Sequence, residues 1–179
     1  QRVLGSGQPL LLSSFHDFEK SFGFYTAQAG RPGVVKRIHE PKRFRFLARA
    51  AKADTVLFTR ESYGEFPDLW ISDSTFAKPI RVSTANPQAA EFDFGTAELV
   101  NWTSLDGLPL QGVLIKPAHY KPGVRYPVIV YFYELQSQRL NEWNETVVNH
   151  RPSFPLYAGA GYAIFLPDIV FEPGRPGPS

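Results

Sequence analysis

The chain has 179 residues, among them sixteen prolines and fourteen glycines, above the roughly 12% that the two ordinarily contribute together, so short elements joined by turns are expected rather than long helices. Hydrophobic residues at 43% exclude an intrinsically disordered chain, and nineteen basic against seventeen acidic residues leave a formal charge of only +2. Without cysteine there is no disulfide or thiolate chemistry; with no methionine and Gln1 first, the sequence reads as a processed product or a piece of a longer chain.

The first half reads as β. Runs rich in β-branched and aromatic residues fall at 22–26 and 34–38, separated by the turn-rich Ala27-Gln-Ala-Gly-Arg-Pro-Gly33, then at 44–47, 55–59, 69–72 and 80–83. The phrase around Gly23-Phe-Tyr-Thr, a turn and Val-Val-Lys-Arg-Ile returns in outline as Asp68-Leu-Trp-Ile-Ser, a turn and Pro-Ile-Arg-Val-Ser, about 45 residues later. That spacing fits a β-propeller blade, and equally a plain meander of hairpins. Asn86-Pro-Gln and the region of Gly95 break the pattern.

Beyond residue 97 the grammar changes. A strand at 99–103, the hairpin turn Asp106-Gly107 and a returning strand at 110–115 precede a loop over 117–127. Val128-Ile-Val-Tyr-Phe-Tyr133 is an unbroken apolar run, expected as a strand buried on both faces of an α/β sheet. A polar stretch at 134–151 leads to a short helix at 154–160, a second buried strand at 161–166, and a loop-like tail.

The chemistry-bearing residues are sparse. His16, His39, His119 and His150 are far apart and none has a partner at metal-ligand spacing. The basic stretch Lys36, Arg37, Lys42, Arg43, Arg45, Arg49 is broken by Glu40 and apolar residues, and reads as a solvated strand-and-loop region rather than a nucleic-acid stripe. No run approaches the roughly 18 apolar residues of a transmembrane helix. Glu134, Glu142, Glu145 and Asp168 lie near strand ends, where a carboxylate pair could serve acid–base work or simply be solvated. No Gly-rich phosphate loop and no G-x-S-x-G nucleophile elbow occurs. Asn101 and Asn144 match the glycosylation tripeptide, a pattern that also arises by chance.

From Glu98 a more specific likeness appears. Leu99-Val-Asn-Trp-Thr-Ser-Leu-Asp-Gly-Leu-Pro-Leu-Gln-Gly-Val-Leu-Ile-Lys-Pro117, Tyr126-Pro-Val-Ile-Val-Tyr-Phe-Tyr-Glu134, Gly161-Tyr-Ala-Ile-Phe-Leu-Pro-Asp-Ile169 and Gly174-Arg-Pro-Gly177 resemble the junction between β-propeller and catalytic domain in the prolyl oligopeptidase family of serine peptidases, in its dipeptidyl-peptidase and acylaminoacyl-peptidase-like members. Phe58-Thr-Arg-Glu-Ser and Phe66-Pro-Asp-Leu-Trp-Ile-Ser-Asp73 resemble the last blade, and Asn86-Pro-Gln88 the link that leaves it. The resemblance implies C-terminal propeller blades over residues 1–97, then the N-terminal part of an α/β-hydrolase domain, incomplete, over 98–179. It decides for the propeller over a plain meander.

The family's Ser-Asp-His triad has no match here, so the resemblance places it beyond Ser179 and implies that the segment alone is inactive. It leaves one catalytic element, Tyr133, whose hydroxyl would help form the oxyanion hole; the plainer reading is a core or rim aromatic. Glu134, Asp168 and Arg175 are candidates for substrate contact, Glu134 toward a basic group, against the plainer reading of loop residues. No cofactor or metal is implied. The expected partners are a peptide substrate and the remainder of the same polypeptide, with no nucleic acid or membrane; a homo-oligomer and the compartment, periplasmic, secreted or cytoplasmic, stay open. Two alternatives remain at this point, a non-catalytic β-rich binding module and an esterase on the same fold.

Overall fold

The computed structural model describes residues 9–146, 152–171 and 174. The chain divides into two compact units, Gln1–Pro87 and Gln88–Ser179.

In the first unit, β1 (Leu10–His16), β2 (Ser21–Ala27) and β3 (Val34–Glu40) form one antiparallel sheet. A second is built in chain order from β4 (Arg43–Arg49), β5 (Val56–Ser62), β6 (Glu65–Ser72) and β7 (Ile80–Arg81). The four-stranded meander has the form of a propeller blade. The repeat seen in the sequence has a structural counterpart: β1, β2 and β3 return as β5, β6 and β7, with Leu10 and Val56, or Val34 and Ile80, 46 residues apart.

The core of this unit is aromatic. Period-two alternation sends Val56 and Phe58 of β5 inward, where they meet Phe24, Phe44 and Phe76. The Phe24 ring lies 5.8, 5.7 and 4.9 Å from those of Phe44, Phe58 and Phe76, the range in which such rings attract beyond simple burial. Phe76 is delivered by a turn, not a strand: Asp73 accepts the Phe76 N–H at 3.1 Å and both the N–H and hydroxyl of Thr75, and Phe76 takes a φ of +55°. Pro67 can donate no ladder bond, and the pairing of β5 with β6 shifts register opposite it, between Arg60 and Ser62.

In the second unit, β8 (Thr96–Thr103) and β9 (Pro109–Lys116) form a hairpin over the Asp106-Gly107 turn; β10 (Val128–Val130), α1 (Phe154–Gly159) and β11 (Ala163–Pro167) follow. The sheet order is β10-β11-β9-β8, with β10 and β11 parallel and the other pairs antiparallel. A parallel pair joined through a helix is the βαβ unit of an α/β sheet. Gly95 enters β8 at a φ of +76°, and a Cβ there would sit 1.9 Å from the Lys116 carbonyl oxygen, so no side chain fits.

Three expectations need correction. The 128–133 run is not a strand buried on both faces: β10 ends at Val130, and Val128 and Val130, which share one face, are 55% and 53% exposed because no described residue covers that face; among the described residues β10 pairs only with β11. Leu10–His16 is a strand that the sequence reading passed over, although Leu-Leu-Leu is an apolar signal. The run at 69–72 extends back to Glu65, and that at 80–83 shortens to Ile80–Arg81.

Candidate active site

The C-terminal ends of the parallel strands β10 and β11 lie side by side, the place where open α/β sheets commonly bind ligands. Tyr131 continues the pairing by donating its N–H to the Phe165 carbonyl at 3.0 Å, and its ring packs 5.5 Å from that of Phe154. The chain then leaves the sheet. Tyr133, three residues past β10, is 64% exposed. With Tyr131, Glu134, Leu135, Gln136, Gln138 and Arg139 it lines an open concavity of about 630 Å³. A phenol among the lining residues can act as an O–H donor.

Glu134 follows at a φ of +47°, a left-handed conformation rare for a residue with a side chain. Its carbonyl accepts the Ile169 N–H at 3.0 Å, while its carboxylate is exposed and lines the concavity. Asp168, one residue past β11, is buried: one carboxylate oxygen accepts the N–H groups of Gln136 and Ser137 at 2.6 and 2.7 Å, and the other accepts the Ser137 hydroxyl at 2.5 Å. Its own N–H donates to the Gln111 carbonyl at 2.8 Å. The Gln136 carboxamide donates to the Tyr133 carbonyl. The structure thus gathers Tyr133, Glu134 and Asp168 at one sheet end. Arg175 lies outside the described residues, as does His150.

Gln136 and Ser137 were not singled out in the sequence. Only their burial, 5% and 1% exposed, distinguishes them from the surrounding polar loop, and a polar stretch carries no signal for burial. The nearest thing to a nucleophile pair lies elsewhere, in the first unit: Ser21 Oγ is 2.7 Å from His39 Nε2, with Tyr25 Oη 3.1 Å from Nδ1. Ser21 is buried and the imidazole is oriented by a phenol rather than a carboxylate, so this is a hydrogen-bonded tie between β2 and β3. Among the described residues no group of three or more His, Asp or Glu side chains could hold a metal, and no helix is long and apolar enough to cross a membrane.

No family model and no curated protein matches the chain. Solved structures do. Dipeptidyl peptidase 4 of Porphyromonas gingivalis superposes with a TM-score of 0.66 at 19% identity, over 92% of this chain and 23% of its own. The AtxE2 isopeptidase gives a TM-score of 0.65 at 17% identity, over 89% and 24%. The acylaminoacyl peptidase of Pyrococcus horikoshii gives 0.57 at 19%, over 89% and 23%. The chain therefore spans about a quarter of the length of each. At these identities the likeness is one of fold: the chain has the fold found in peptidases of the prolyl oligopeptidase family, as the resemblance in its sequence implies.

Proposed function

We propose that this chain is part of a serine peptidase in which β1–β7 belong to a propeller and β8–β11 open an α/β-hydrolase domain. The sequence suggests a boundary near residue 97, beside the first residue of β8, whereas the compact units divide at Pro87. In this reading a Ser-Asp-His triad outside these residues attacks a peptide carbonyl of a short peptide, and Tyr133 donates its phenolic hydrogen to the oxyanion that forms. One observation carries it: Tyr133 stands exposed at the C-terminal mouth of a parallel strand pair, on a loop tied down from the neighbouring strand, in a fold shared with peptidases. A preorganised donor aimed at developing charge stabilises the transition state more than the ground state. Glu134, beside it in the same concavity, would meet a basic group of the substrate.

A serine-reactive phosphonate and a matched pair of peptide amide and ester substrates, applied to the intact protein, test this. Labelling of one serine together with amide turnover is expected, while the 179 residues alone are expected to hydrolyse neither. Ester turnover without amide turnover would make it an esterase. Neither labelling nor turnover by the folded protein would leave a binding module instead.

A further inference from the structure

We propose that Asp168 is a positioning residue for Tyr133, acting through the loop between them rather than by touching substrate; this rests on Tyr133 being the oxyanion donor. Both Asp168 carboxylate oxygens are already used, by the Gln136 N–H, the Ser137 N–H and the Ser137 hydroxyl, and the residue is only 7% exposed. A buried carboxylate so employed has little left for a ligand. What it holds is the far end of a short tether. Tyr131 is fixed at the near end by the Phe165 carbonyl, Glu134 midway by the Ile169 N–H, and Gln136 and Ser137 at the far end by Asp168. Every anchor is supplied by β11 or by the two residues after it. Between the anchors Glu134 keeps its left-handed backbone, a conformation that persists where the surroundings impose it. Gln136 closes the device by donating its side-chain amide to the carbonyl of Tyr133 itself.

Without the carboxylate, two backbone N–H groups and a hydroxyl would be left buried without an acceptor, and the loop would have to open to water to satisfy them. The phenol would then lose its fixed aim, and a misplacement of about 1 Å in a catalytic group can cost on the order of 100-fold.

A double-mutant cycle on the intact protein tests this with a peptide 4-nitroanilide as substrate. Asp168→Ala is expected to lower kcat roughly 10–100-fold with KM changed less than about 3-fold. Asp168→Asn, which keeps an oxygen for the two N–H groups, is expected to recover most of that loss. In a Tyr133→Phe background, Asp168→Ala is expected to cost less than about 3-fold, because the donor it positions is gone. Independent, multiplying losses, or a loss confined to KM, would overturn the positioning role while leaving Tyr133 in place. Unchanged kcat for Tyr133→Phe alone would instead overturn the oxyanion reading. Should Asp168→Ala fail to fold, Ser137→Ala removes one of the same bonds and runs the same cycle, with an expected loss of roughly 3–10-fold in kcat that vanishes in the Tyr133→Phe background.

Discussion

Three aspartates show how much a single carboxylate does when its acceptor capacity is matched to nearby N–H groups. Asp73 shapes the turn that carries Phe76 into the aromatic core, so Asp73→Ala is expected to destabilise by about 1–2 kcal/mol, read as a lower melting temperature of the intact protein. Phe58, fully buried against Phe24, Phe44 and Phe76, is the larger loss: Phe58→Ala should cost about 3–5 kcal/mol, measured by denaturant unfolding. Asp93 is held below its ordinary carboxylate value, first by the Gly95 N–H at 2.9 Å, against a smaller opposing effect of burial, and then by the N–H and ring of His119. A depressed folded value means that its stabilisation is present above the unfolded value and is lost as pH falls through the folded one. Asp93→Asn should therefore lower the melting temperature near neutrality and narrow its further drop between about pH 5 and pH 2. These roles are hidden in the sequence, where aspartates in turns all look solvated. Tyr133 was singled out because an apolar run ended there and a family likeness named the position; Asp168 was readable as a loop residue, but its partners were not, since Ser137 lies 31 positions away.

At the level of elements, β2 to β5 were found as short runs rich in β-branched and aromatic residues bounded by turns. β10 misled. An unbroken apolar run reports that a strand could be buried on both faces, not what covers it, and here no described residue covers the face of Val128 and Val130. β11, with the same apolar character, is flanked by β10 and β9 and is buried as expected. Its contact with β9 is tight at Gly112, where an added Cβ would lie 2.8 Å from the Leu166 carbonyl oxygen and 3.0 Å from Pro167 Cα. Gly112→Ala is expected to push the two strands apart at a cost of about 1–3 kcal/mol. Because Asp168 follows directly on Pro167, a fall in kcat larger than the fall in stability explains would show that the strand ends set the geometry of the Tyr133 loop.

At the scale of the whole molecule, a repeat of about 45 residues was readable, because a blade repeats its strand spacing, and it returns as strands 46 residues apart; the sequence set its boundary near residue 97, whereas the compact units divide at Pro87. The identity of the blades as propeller blades was not readable from spacing alone; a meander of hairpins gives the same intervals, and the family likeness and the shared fold decide it. The second unit offers a strand-end loop with an exposed phenol, a carboxylate and a concavity, while the described residues bring no nucleophile to it. The most direct measurement is kcat of the intact protein on a peptide amide with Tyr133 replaced by Phe, which removes one oxygen and leaves the ring. A fall of about 100–1,000-fold with KM little changed is the expected result; turnover equal to that of the unaltered protein would contradict the assignment of Tyr133 to the oxyanion.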